Sequence, residues 1–78
     1  MEEKILMLLT EDYPEVDFSA STALVEDGIL DSLMIMGIIT RLSVEFGIMV
    51  PYEEIKEENF NSIADLAQMV QRIQQNGR

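Results

Sequence analysis

The chain contains no cysteine and no histidine. Without cysteine no disulfide staples it, and the absence fits a reducing compartment. With neither residue present, a Cys/His zinc site is excluded. A nucleophile activated by a neighbouring imidazole is excluded too. Basic residues are scarce: 5 Lys and Arg stand against 15 Asp and Glu, a formal charge of −10 over 78 residues. Nucleic-acid binding draws much of its affinity from neutralised phosphates, so this balance argues for no nucleic-acid partner. An anionic membrane surface would repel the chain as well. No run reaches the roughly 18 consecutive apolar residues that span a bilayer, and no direct membrane insertion is expected. The first residues, MEEKILMLLTEDYP, are acidic and offer no small-residue cleavage site, which argues against a signal peptide. A cytoplasmic location is expected.

Abundant Leu, Ile, Val and Met must then supply the stability. A chain of this length buries only about 60–65% of the surface its unfolded form exposes. One domain spanning residues 1–78 is expected. EEKILMLLTEDY reads as a first helix, with Ile5, Leu6, Leu9 and Tyr13 as its apolar stripe and Pro14 as its stop. Residues 14–31, PEVDFSASTALVEDGILD, are long for a connection in a compact domain. Val16, Phe18, Leu24, Val25, Ile29 and Leu30 can pin this segment to a core. DSLMIMGIITRLSVEF is a second helix, starting near Asp31 or Ser32, with Asp31 a good N-cap and Gly47 a terminator. A short third helix is expected from Pro51, with Glu53 and Glu54 in its first turn. SIADLAQMVQRIQQ is the fourth. Ser62 caps it, Asp65 resembles the second half of a capping box, Ile63, Leu66, Ala67, Val70 and Ile73 form its buried stripe, and Gly77 lies beyond its end. The expected fold is all-α. It is a small four-helix bundle of three main helices plus one short helix, with a long ordered loop between helices one and two. A monomer is expected.

The second helix is unusual. At about 100° per residue, Ile35, Ile39, Leu42 and Phe46 share one narrow arc, the expected core face. Leu33, Gly37, Thr40 and Val44 lie opposite, with Met34 and Arg41 beside them. Amphipathic helices put charge on that face. Burial on all sides is one reading, but so short a chain has few elements to cover it. A docking surface is favoured, and flexible methionine suits one. Gly37 costs about 1 kcal/mol relative to alanine in a helix interior. Close approach by a partner, or by the protein's own loop, would explain it.

Ser32 opens this helix. Position alone makes it an ordinary helix N-terminal serine. It lacks a base, since lysines occur only at Lys4 and Lys56, and the G-x-S-x-G elbow is absent. No catalytic residue is assigned. EDGILD also fails the D-x-[DN]-x-[DN]-G calcium pattern, and no metal site is assigned. Ser32 remains open to modification by another enzyme, since a helix N-terminus favours a phosphate.

EDGILDSL resembles the phosphopantetheine-attachment motif of acyl and peptidyl carrier proteins, with Asp31, Ser32 and Leu33 as its Asp-Ser-Leu core. EFGIMVP (45–51) and ENFNSIADLAQMV (58–70) extend the similarity through almost the whole chain. The resemblance implies that a phosphopantetheinyl transferase attaches 4′-phosphopantetheine from coenzyme A to Ser32. The arm's thiol then carries an acyl or aminoacyl group as a thioester. Asp31 matches the aspartate that helps the transferase hold its metal and substrate. Leu33, Met34, Gly37 and Arg41 match the surface that partner enzymes read. Those partners would be an acyl- or aminoacyl-activating ligase and a downstream acyltransferase or synthase, which carry the chemistry, so the chain itself is not an enzyme.

Fatty-acid carriers usually have glycine two residues before the aspartate; here Ile29 stands there and the glycine is Gly28. They also line the second helix with acids, whereas this one keeps only Glu45 beside Met34, Gly37, Ser43 and Val44. Both departures look more like the aminoacyl or D-alanyl carrier branch. The length suggests a free-standing carrier rather than a module cut from a synthetase. The alternative is a carrier-like helical adaptor acting only through protein–protein contacts.

Overall fold

Glu2 and Glu3 occupy the positive end of helix α1 (Glu2–Asp12), and the chain leaves it at Tyr13, whose N–H donates to the Leu9 carbonyl at 2.8 Å. A computed structural model describes residues 1–76. Among these residues the fold is all-helical, with α2 (Ser32–Phe46) and α3 (Ile63–Gln75) completing the bundle. In α1, Ile5, Leu8 and Leu9 are buried and Leu6 packs partly against the core, as does Tyr13 just past its end. In α3, Leu66, Ala67, Met69, Val70 and Ile73 are buried. Ile63 is only half-buried, and Met69, absent from the expected stripe, is fully enclosed. The α3 cap is as expected: the Asp65 N–H donates to Ser62 Oγ at 3.0 Å. Gly77 lies outside the described residues.

The short helix expected from Pro51 is realised as two 3₁₀ turns, Tyr52–Glu54 and Glu57–Asn59. Pro51 is extended (φ −74°, ψ 157°) and precedes the first turn instead of opening it. In a continuous helix Tyr52 and Ile55 would share a face, but Phe60, five residues past Ile55, would not join it. The chain instead extends at Lys56 (φ −146°, ψ 154°) and drives Phe60 into the core at 1% exposure.

The 14–31 connection is ordered without an α-helix, as expected. Phe18, Leu24 and Leu30 are buried and Val16 and Val25 pack on the core. Ile29 does not pin the segment; it is exposed, because Gly28 (φ 77°) turns the chain outward just before it. Gly47 ends α2 in the left-handed conformation (φ 62°, ψ 39°).

The expected core arc of α2 is shifted. Ile38 and Leu42 are its buried residues, whereas Ile35, Ile39 and Phe46 are half-buried. The arc has turned toward the side where the Tyr13 hydroxyl closes on Gly37 and where Arg41 meets the end of α1.

Candidate functional site

The approach to α2 is a tight reversal. The Leu24 carbonyl accepts from the N–H groups of both Ile29 (2.9 Å) and Leu30 (3.1 Å). Ser21 Oγ accepts from the Ala23 N–H at 2.9 Å and donates to Asp27 at 3.0 Å, bracing the same turn. Leu30, 3% exposed, plugs the core and leaves the next two residues at the surface.

Asp31 is extended (φ −113°, ψ −178°), and its Oδ1 accepts the Met34 N–H at 2.9 Å. The aspartate therefore makes the N-cap bond, and Ser32 is not the capping group. Ser32 is the first residue of α2 and is exposed. Its only sequence-adjacent ionisable group is Asp31, which is engaged with the backbone. No imidazole exists in the chain. The arrangement leaves the Ser32 hydroxyl accessible on the first turn of α2. Helix N-terminal N–H groups beside it favour an anionic substituent.

Downstream lies an uncharged face. Leu33 (83% exposed), Met36 (60%) and Val44 (76%) stand in solvent, with Thr40 exposed between them. Thr40 Oγ1 donates to the Met36 carbonyl at 3.0 Å, which tucks its one polar atom against the backbone. Met36 was missed in the sequence reading, although its spacing of three from Leu33 places it on this face.

The other candidates sit toward α1. Met34 is half-buried and packs on the core. Gly37 is covered by Tyr13: a β-carbon there would collide with the Tyr13 hydroxyl. Arg41 bonds Glu11 (2.8 Å) and Asp12 (2.5 Å) at the end of α1, with Glu45 at 3.4 Å. The hydrogen bond that Arg41 donates to Glu11, reinforced by the charges of Asp12, Glu11 and Glu45, raises the Arg41 pKa above its usual value. Ser32, Asp31 and Leu33 are thus brought together at one exposed end of α2, whereas Gly37 and Arg41 meet the end of α1 and Met34 packs on the core.

Two other features lay outside the sequence reading. Asn61 bonds the turn at residues 24–26 from the far end of the chain. Glu54 accepts from Arg72 at 2.8 Å and from Asn59 at 2.9 Å, tying both 3₁₀ turns to α3. The Arg72 hydrogen bond holds the Glu54 carboxyl below its ordinary pKa. These groups line a polar cleft of about 540 Å³, to which neither Asp31 nor Ser32 contributes.

Among the described residues, no helix is long and apolar enough to cross a membrane. A family model described as the phosphopantetheine attachment site matches residues 4–70. No curated protein and no solved structure gives a significant match.

Proposed function

Because the chain belongs to the phosphopantetheine attachment-site family of carrier proteins, whose domain takes a covalent 4′-phosphopantetheine, we propose that Ser32 is the residue that takes it. The observation that supports this most is the division of labour at the start of α2. Asp31 caps the helix, and the serine hydroxyl is left exposed on its first turn.

The residues fit the group. An exposed oxygen accepts the phosphorus without repacking the core, and the helix N-terminus stabilises the phosphodiester charge. Attachment forms a bond from Ser32 Oγ to the phosphorus that bears pantetheine. The bond from that phosphorus to the bridging oxygen of coenzyme A breaks, and adenosine 3′,5′-bisphosphate leaves with the electron pair. The hydroxyl proton passes to a base of the phosphopantetheinyl transferase. Asp31 opposes the incoming phosphate by like charge, so a cation held between transferase, substrate and Asp31 offsets that repulsion. When bound, the arm supplies a thiol for an acyl or aminoacyl thioester.

The chain's part is to present that arm. Leu33, Met36, Thr40 and Val44 offer partner enzymes an uncharged face beside it. Met34, Gly37 and Arg41 border this face on the α1 side. Ile29 in place of glycine, and the scarcity of acids on this face, favour an aminoacyl cargo of the D-alanyl type. The partners are then the transferase, an aminoacyl-activating ligase and a downstream acyltransferase.

Intact-mass spectrometry tests both levels. With coenzyme A and a transferase, the chain gains one phosphopantetheine, and Ser32→Ala gains none. An unmodified wild-type chain beside a modified control carrier overturns the assignment. With ligases offered amino acids and fatty acids in parallel, the loaded mass is an aminoacyl mass. Loading by a fatty acid alone overturns the branch.

A further inference from the structure

We propose that Asn61 is a positioning residue for Ser32, an inference that rests on the attachment reading above. Three successive backbone N–H groups of the connection, those of Leu24, Val25 and Glu26, all donate to this one residue. Leu24 donates to the Asn61 backbone carbonyl at 2.8 Å. Val25 and Glu26 donate to its side-chain Oδ1 at 2.9 and 3.2 Å.

Asn61 is itself held rigidly. Phe60 before it is buried at 1% exposure, and Ser62 after it is 8% exposed and caps α3 through Asp65. That cap is complete without the Asn61 side chain. Its oxygen therefore serves the loop, not the helix beside it. Beyond the anchored amides, the Leu24 carbonyl holds Ile29 and Leu30, and the next residue is Asp31. Hydrogen bonds thus tie Asn61, just before α3, to the turn as far as Leu30, and one peptide bond further on Asp31 caps α2. This linkage fixes the direction in which the first turn of α2, and so Ser32, leaves the core.

Asparagine suits the position chemically. Only its carbonyl oxygen is used, so an acceptor is required. A carboxylate would accept equally well but would stand beside Glu26 and Asp27. A neutral acceptor avoids that repulsion.

The test compares wild type with Asn61→Leu, which removes the acceptor at similar size, and Asn61→Asp, which keeps it. Assays run at 0.5 M NaCl, where screening shortens the reach of Glu26 and Asp27 to a few ångströms. In Asn61→Leu, amide exchange at Val25 and Glu26 rises by about tenfold or more, while Leu9 and Val70 keep their protection. Arm transfer loses about tenfold in kcat, because in-line attack is sensitive to small misplacements. The KM for the carrier stays within about twofold, since the face from Leu33 to Val44 is intact. Asn61→Asp recovers most of the loss. Circular dichroism confirms folding, and Asn61→Ala replaces the leucine variant if that one is unfolded.

Wild-type kcat in Asn61→Leu, unchanged exchange at Val25 and Glu26, or no recovery in Asn61→Asp each overturns the inference. If the wild-type chain itself takes no arm, the Ser32 assignment has failed, and the positioning role falls with it. A modified wild type matched by Asn61→Leu defeats the positioning role alone.

Discussion

Gly37 lies in mid-helix, where glycine is about 1 kcal/mol less favourable than alanine. Its backbone does not need glycine, since the positive-φ glycines are Gly28 and Gly47. The reason is steric, and it comes from the protein's own chain: the Tyr13 hydroxyl fills the space a β-carbon would take. Tyr13 is not free to swing away, because its ring meets the buried Phe18 edge-on with centroids 6.4 Å apart. Overpacking typically costs about 1–3 kcal/mol, more than the helix propensity gained. Gly37→Ala is expected to destabilise the wild-type fold by about 1 kcal/mol in urea denaturation. In a Tyr13→Phe background the nearest ring carbon, Cζ at 3.7 Å, makes an ordinary contact. There the same substitution should stabilise by up to about 1 kcal/mol. Equal effects in both backgrounds would show that the hydroxyl does not explain this glycine. The cost of Gly37 was legible in the sequence; its cause was not, because Tyr13 lies in another element. Asp31 was legible as a cap because its bond reaches only three residues ahead; Ser32 was singled out by its place in the Asp-Ser-Leu motif, not by its position. Asn61 was hidden because the amides it binds lie 35–37 positions away in sequence.

At the level of elements, boundaries set by local chemistry were readable. Asp31, Gly47 and Ser62 mark helix ends through bonds and dihedrals within a few residues. Faces were less so. The buried arc of α2 is turned by about 50° from the one periodicity suggested, at roughly 100° per residue, toward the side where Gly37 meets Tyr13 and Arg41 meets the end of α1. The third helix is not continuous: Pro51 and two glutamates signal a start, but the break at Lys56 is what lets Phe60 reach the core. Its replacement is fastened by Glu54, which bridges the first turn to Arg72 on α3 and to Asn59. With Glu54 18% and Arg72 44% exposed, screening limits this pair to about 1 kcal/mol or less at neutral pH. The Glu54 pKa is lowered in the fold, chiefly by the Arg72 hydrogen bond. Its contribution is therefore fully present above the ordinary glutamate value of about 4.3. It is lost as pH falls through the lowered folded value. The stability gap between wild type and Glu54→Gln should be flat from pH 7 to about 5 and close progressively below about 4. A gap that persists in strong acid would mean the glutamate acts through packing rather than charge.

Across the whole molecule the dominant fact is the excess of acid. Three described cations are committed locally: Arg41 to Glu11, Asp12 and Glu45, Arg72 to Glu54, and Lys56 to Glu58. Lys4 stands 5.9 Å from the centre of the Phe46 ring. Glu2, Glu3, Glu15, Asp17, Glu26, Asp27, Glu53 and Glu57 are exposed around a body measuring 33 × 22 × 20 Å. At 10 mM salt the screening length is about 30 Å, so these charges repel one another across the whole fold. At 1 M it is about 3 Å, and only adjacent pairs still interact. Unfolding spreads the charges apart, so repulsion destabilises the native state selectively at low salt. The melting temperature should rise with NaCl. For a domain of this size, relief of about 1 kcal/mol corresponds to roughly 4–8 °C. Differential scanning calorimetry from 10 mM to 1 M NaCl checks this. Ion-pair screening pulls the other way, but the pairs are few and surface-exposed, where such pairs contribute little. A melting temperature that falls with salt would mean the clusters around Arg41 and Arg72 outweigh the net repulsion. A phosphodiester at Ser32, if attached there as proposed, would increase the negative charge, and the modified protein should then show the steeper salt dependence of the two.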